Sequence, residues 1–342
     1  MSAYLNARVS IFSGRLWQPG EFERFIKTPD AEIGDLLARH GLSQLAKGYE
    51  TPDPVSLVLR VITGWLEETQ VLIRPLNGAE RRFLSYWTER FEISNVKTLL
   101  RGKMTGERPA ALIARLIPMG AFGRLDVHDL AHAEDTSELL RRLGAGPYAG
   151  IVRHARRAFE ESHDPFILDA ALDRGYYEGL AHRAQLVENT AGASFRRLMG
   201  QVIDRINLVW LLRYRFNYNL PPAQVYFLLV SSHYSLSASR LRGLAALGSV
   251  EAIVEALPET LRAVLRGATD LPTVSARLEN LAAQTATEVL HSGAPAIARA
   301  FAYLILRERD LRAVRAVLRG RQLGLPLADI ETAIYLPTEG NA

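Results

Sequence analysis

The sequence predicts an all-α protein made of three similar helical units, and three features carry that expectation. Helix-start signals recur along the 342 residues, strand signals are nearly absent, and one phrase is written three times.

The start signals come in order as Thr28-Pro29-Asp30, Asp53-Pro54, Asp164-Pro165 and Leu220-Pro221-Pro222, each followed by apolar residues at three- and four-residue spacing. Proline costs nothing in a first helical turn, because the N–H it lacks has no intrahelical partner there. Period-two alternation of Val, Ile, Thr and aromatics between Asn-Gly turns, the signature of hairpins, is nearly missing.

The phrase first runs from Glu92 through Asn95, Val96, Leu99, Leu100 and Arg101 to Lys103. It returns as Asp204, Asn207, Leu208, Leu211, Leu212, Arg213 and Arg215, and again as Asp310, Ala313, Val314, Val317, Leu318, Arg319 and Arg321. An acid, an amide three later, apolar residues at four, seven and eight and an arginine at nine are common, with Ala313 alone breaking the amide position. The arginines lie 112 and then 106 residues apart. Self-similarity at such a period marks duplicated units. Asp173 and Glu279 each stand 31 residues before the next acid in helical sequence, whereas Val61 holds that place in the first copy. A second shared piece, Ala31-Glu32-Ile33 with Ser137-Glu138-Leu139 and Val250-Glu251, precedes its phrase each time. Units are therefore expected at 1–118, 119–230 and 231–342.

At about 100° per residue, the acid and the positions three, four, seven and eight later share one helix face. Glu92, Asn95, Asp204, Asn207 and Asp310 are then expected on packed faces. There an unpaired polar group costs about 1–3 kcal/mol. Their expected partners are backbone groups at the end of the preceding helix. Arg101, Arg213 and Arg319 fall on the opposite side near helix ends, where a cation offsets exposed carbonyls.

Composition narrows the function. Hydrophobic content of 48% and charged content of 23% describe a folded chain, long enough for two or three cores. Net charge is only +4, and 37 of the 41 cations are arginine, with lysine confined to positions 27, 47, 97 and 103. The absence of cysteine removes disulfides, thiolate zinc sites and cysteine nucleophiles. No secretory signal is visible at the start, and the best apolar runs fall far short of the roughly 20 residues that span a bilayer.

No constellation for catalysis emerges. A Gly-rich loop ending in Gly-Lys-Ser/Thr is missing, as is any His-Glu-x-x-His. His128 and His132, at i, i+4 beside Asp126, Asp129 and Glu134, read as a solvated helix start before a metal site. Arginine stripes at 153–157 and 312–319 lack the aromatic interleaving of a single-strand binder. No cofactor and no metal are expected.

The acid-x-x-Asn-Leu phrase in three helical units resembles the family of the C subunit of bacterial and archaeal V/A-type rotary ATPases, to which the d subunit of the vacuolar ATPase is related. Tyr4-Leu5-Asn6-Ala7-Arg8-Val9, Leu172-Asp173-x-x-Tyr176-Tyr177, Asp204-x-x-Asn207-Leu208 and Arg319-Gly320-Arg321 before Gly324-Leu325 are similar to that family in order and spacing. The resemblance implies a funnel-shaped, pseudo-threefold, non-catalytic protein on the cytoplasmic mouth of the membrane proteolipid ring. There it would seat the central stalk, formed by the D and F subunits, and pass rotation between the ATP-hydrolysing subunits and the ring. It implies no nucleic-acid partner, and membrane contact only through the ring. An α-helical scaffold binding a peptide or RNA stays open as the alternative, although a solenoid should repeat every roughly 34–47 residues.

Overall fold

A computed structural model describes residues 2–18, 20–46 and 54–335, all of its regular structure helical. Asp53 and the Leu336–Ala342 tail, which belong to the expected first and third units, lie outside the described residues. Five long helices dominate: α1 (Pro54–Ile73), α2 (Gly78–Met104), α3 (Pro165–Leu212), α4 (Leu271–His291) and α5 (Ala296–Gln322). Pro165 and Pro222 open their helices as read from the sequence, whereas Pro29 stands one residue before Asp30–Arg39. Asp164 caps α3 by accepting from the Phe166 N–H at 2.9 Å, and the proline that follows takes the first helical position.

Helix α3 is two limbs. At Gly192 the backbone turns to φ 79°, ψ −180°, a region open essentially to glycine alone. The chain thus bends in one residue what short turns achieve between α1 and α2 and between α4 and α5. The six limbs close on themselves. Tyr176 donates to the Trp87 carbonyl at 3.1 Å, joining the first limb of α3 to α2. Gln201 donates to Thr285 at 3.0 Å, joining the second limb to α4. Trp65 and Glu68 of α1 meet Leu304 and Tyr303 of α5, the Tyr303 hydroxyl donating to Glu68 at 2.6 Å.

The three phrase-bearing limbs meet at Phe83, Phe195 and Phe301, each nine residues before its phrase's acid. Their ring centroids lie 5.0, 5.2 and 5.5 Å apart in pairs, nearly an equilateral triangle of fully buried rings. Edge-to-face aromatic packing of this kind adds about 0.5–1.5 kcal/mol per pair beyond the area buried.

The phrase acids and amides are buried and bonded to backbone, but not to the preceding helix as the sequence predicted. They hold the segment that follows. Glu92 accepts from the Arg124 and Leu125 N–H groups at 2.7 and 2.9 Å and from the Tyr148 hydroxyl at 2.6 Å. Asn95 both donates to and accepts from Ile117 at 2.8 and 2.7 Å. In the second copy Asn207 does the same with Val230 at 3.0 and 2.8 Å, and Asp204 accepts from the Leu236 N–H at 3.1 Å. The correction has a simple cause. Backbone of the preceding helix is already paired, whereas the extended chain after each short helix has free N–H and C=O groups.

The third copy is held by a segment from far earlier in the sequence. Asp310 accepts from the Trp17 N–H at 3.0 Å. The place equivalent to Ile117 and Val230 then falls near residues 10–11, inside the helix Ser2–Ser13. Backbone there is satisfied within the helix, and no amide is needed. That explains the buried Ala313.

Two further positions follow the same plan. Gly102 and Gly320, ten after their acids, let Leu112 and Ile330 sit so close that an added Cβ would meet them at 2.0 and 2.5 Å. The second copy has Tyr214 there and instead opens a π-turn over Arg213–Asn217, which absorbs the bulk and one extra residue. Eleven after the acids, Arg215 donates to the Ala245 carbonyl at 2.9 Å, capping helix Ala238–Ala245. Arg321 likewise donates to the Ile26 and Thr28 carbonyls at 3.0 and 2.6 Å, capping helix Glu21–Lys27.

Candidate docking cavity

All six limbs contribute to a central cavity of about 410 Å³. Its inner end abuts the phenylalanine triangle, since Trp87 lines the cavity and packs edge-on against Phe301 at 5.1 Å. Its outer end reaches Arg213 and the start of α4, where Pro272 is exposed. Walls of Val58, Ile62, Trp65, Phe91, Tyr177 and Trp210 make it largely apolar.

Against those walls stand six arginines, 90, 205, 213, 309, 312 and 315, and two acids, Glu279 and Glu308. Arg90 pairs with Glu308 at 2.6 Å. It also lies over the Trp65, Trp87 and Phe91 rings at 4.2–4.9 Å, a cation–π seat. Arg312 pairs with Glu279 at 2.5 Å, and Arg205 approaches the same carboxylate at 4.0 Å. Arg309 donates to the Asn280 side chain at 2.9 Å. Neither Arg213 nor Arg315 makes a side-chain hydrogen bond or ion pair among the described residues. Burial, with the charge of Arg312 beside it, holds the Arg315 guanidinium below its ordinary pKa.

The residues singled out from the sequence divide accordingly. Glu92, Asn95, Asp204, Asn207 and Asp310 face away from the cavity and hold the clasps. Burial pushes Asp204 up to about 6 and Asp310 up to about 7. Asp173 accepts from Lys97 at 2.7 Å, tying α3 to α2, and burial raises its carboxyl. Glu279 and the Val61 that replaces an acid in the first copy both line the cavity. Arg101 reaches across to Asp169 at 2.7 Å and stays exposed, while Arg319 sits half-buried in the last turn of α5. Arg213 directly follows the last residue of α3, and its side chain lines the cavity. Sequence reading did not find the phenylalanine triangle or the +11 arginine caps. Both were visible as further matches on either side of the phrase.

No cluster of three or more His, Asp or Glu arranged for a metal ion occurs among the described residues, and no helix there is long and apolar enough to cross a membrane.

Residues 5–333 match the model of the ATP synthase (C/AC39) subunit family. The chain belongs to that family. Among similar curated proteins is the A-type ATP synthase C subunit of Haloquadratum walsbyi, 25% identical over 94% of this chain and 94% of its own length. Its counterpart in Archaeoglobus fulgidus is 22% identical over 98% and 96%. The counterpart in Methanocaldococcus jannaschii is 25% identical over 75% of this chain, and the match spans 65% of the relative's length. The all-α reading and the family resemblance drawn from the repeated phrase both stand.

Proposed function

We propose that this chain is the non-catalytic socket of a rotary V/A-type ATPase, seating the D and F stalk subunits and joining them to the membrane proteolipid ring on its cytoplasmic face. The observation that carries the reading is the blind cavity at the axis of a closed six-limb ring. A coupler needs a stiff body that grips a shaft at its centre. Six packed limbs, clasped backbone and a buried aromatic floor supply stiffness, and the cavity supplies the grip. The cavity approximates one turn of α-helix, which at about 11 Å across and about 5.4 Å tall fills roughly 500 Å³, so a helix tip is the natural occupant. Ion transport or ATP synthesis would then depend on this chain for transmission and not for chemistry.

The three-unit plan belongs to the same proposal. Units of 1–118, 119–230 and 231–342 share one design, and the third is completed by the first residues of the chain. The phrase residues Glu92, Asn95, Asp204, Asn207 and Asp310 are then structural, setting each unit's shape and through it the cavity.

The test is a tagged pull-down from native membranes solubilised in mild detergent, read by mass spectrometry. Recovery of proteolipid, stalk and ATP-hydrolysing subunits together is the expected result. Recovery of the chain alone, or with RNA, would overturn the coupling role.

A further inference from the structure

The cavity's charge is not balanced by its own residues. Six arginines face two carboxylates, so four positive charges are in excess within a largely apolar enclosure. Three of the six have assigned work: Arg90 holds Glu308, Arg312 holds Glu279, and Arg309 holds Asn280. Arg205 shares Glu279 at the limit of ion-pair distance. Arg213 and Arg315 have no such role, although both are half-buried and line the cavity. The Nε of Arg312 is also buried without a hydrogen-bond partner.

Removing a cation from water without a counter-ion is unfavourable, and a neighbouring cation makes it worse. Neither guanidinium helps the fold through an ion pair or hydrogen bond among the described residues. Surplus polar groups held at a cost to stability are the mark of a binding surface. Guanidinium is moreover the cation best shaped for two-point bonding to a carboxylate.

We infer that Arg213 and Arg315 select the partner of this cavity, an acidic helix tip whose carboxylates supply the missing counter-charges. The inference rests on the socket reading above and adds the chemistry of what the socket accepts. Carboxylates entering between Arg213 just past the end of α3 and Arg315 on α5 would bridge two of the three phrase-bearing limbs, while apolar residues of the same tip met Val58, Ile62 and Trp210. Loss of either guanidinium would leave the cavity's shape intact and remove part of its charge.

The experiment measures binding of the purified stalk subunits of the same complex to the full chain, by calorimetry at several salt concentrations, alongside the melting temperature of each free variant. For the wild type, affinity is expected to fall steeply as salt rises. Arg213→Gln and Arg315→Gln are each expected to weaken binding about tenfold. Their melting temperatures should be equal to or above that of the wild type, which separates a binding role from a folding one. Salt-independent binding, unchanged in the double Gln variant, would overturn the acidic-tip inference and leave the socket reading standing. Failure of the wild type to bind the stalk at any salt concentration would overturn both.

Discussion

Asp310 on the last long helix accepts the backbone N–H of Trp17 at 3.0 Å across 293 residues of sequence. This bond closes the molecule's seam, and it does not act alone. Arg307, fully buried, donates to the Glu68 carboxylate at 2.8 Å and to the His40 carbonyl at 2.8 Å. Arg299 reaches Asn6 at 2.7 Å. The beginning of the chain thus packs on α5 as the 124–125 and 235–236 segments pack on their own phrases.

Stability should depend on pH through the clasp acids. Asp310 titrates near 7 in the folded chain and Asp204 near 6, against about 3.9 for an unfolded aspartate. The folded state therefore keeps protons that the unfolded state gives up. The stabilisation is complete below about pH 4 and is lost as pH rises through 6 and 7, with a slope of up to about 1.4 kcal/mol per pH unit per group. Denaturant midpoints should accordingly fall between pH 5 and pH 8. Asp310→Asn keeps an acceptor for Trp17 and should flatten the Asp310 part of the curve; an unaltered slope in that variant would count against the assignment.

Asn207→Leu should cost about 2–4 kcal/mol, because it strands both the N–H and the C=O of Val230. Asn95→Leu should act similarly through Ile117. Ala313→Asn tests the other direction. It adds a buried amide where helical backbone has nothing to offer, and should destabilise by about 1–3 kcal/mol. Urea unfolding of the three variants checks the set; a stabilised Ala313→Asn would contradict the wrap-around plan.

Gly192→Ala should cost about 1–3 kcal/mol, since the φ of 79° and ψ of −180° there suit glycine almost alone. The loss would come from backbone strain and not from crowding, because the nearest atom to an added Cβ is Pro295 Cγ at an ordinary 3.6 Å. Pro295→Ala should therefore give no rescue in a double-mutant cycle.

Gly320→Ala is the contrasting case. Its backbone is helical, and the added methyl would lie 2.5 Å from Ile330 Cγ1. Overpacking of about 1–3 kcal/mol is expected. Shortening the neighbour in Gly320→Ala/Ile330→Ala should recover part of it, measured by thermal melts of the two single variants and the double. Strict additivity would show that the crowding is relieved elsewhere.

Helix content, the tripled phrase and the family were legible in the sequence because they rest on local signals. Proline beside an acid starts a helix wherever it falls, and apolar spacing of three and four marks a buried face without reference to any partner. The burial of Glu92, Asn95 and Asp204 followed from the same periodicity. What those groups would hold did not. A carboxylate on a packed face needs a donor, and only the tertiary structure decides that extended backbone after the short helix, and not the finished helix before it, has donors to spare. The break at Ala313 was visible in the sequence without its cause; it reflects Ser2–Ser13 being helical where the other copies are extended. That Arg213 would line a cavity did not follow either, since helix spacing says which side a residue takes but not what that side faces. Local pattern determined which residues are buried and which elements form. Closure of the ring, and with it the phenylalanine floor and the unbalanced arginines, arose from contacts between segments as far as 296 residues apart, which no local spacing encodes.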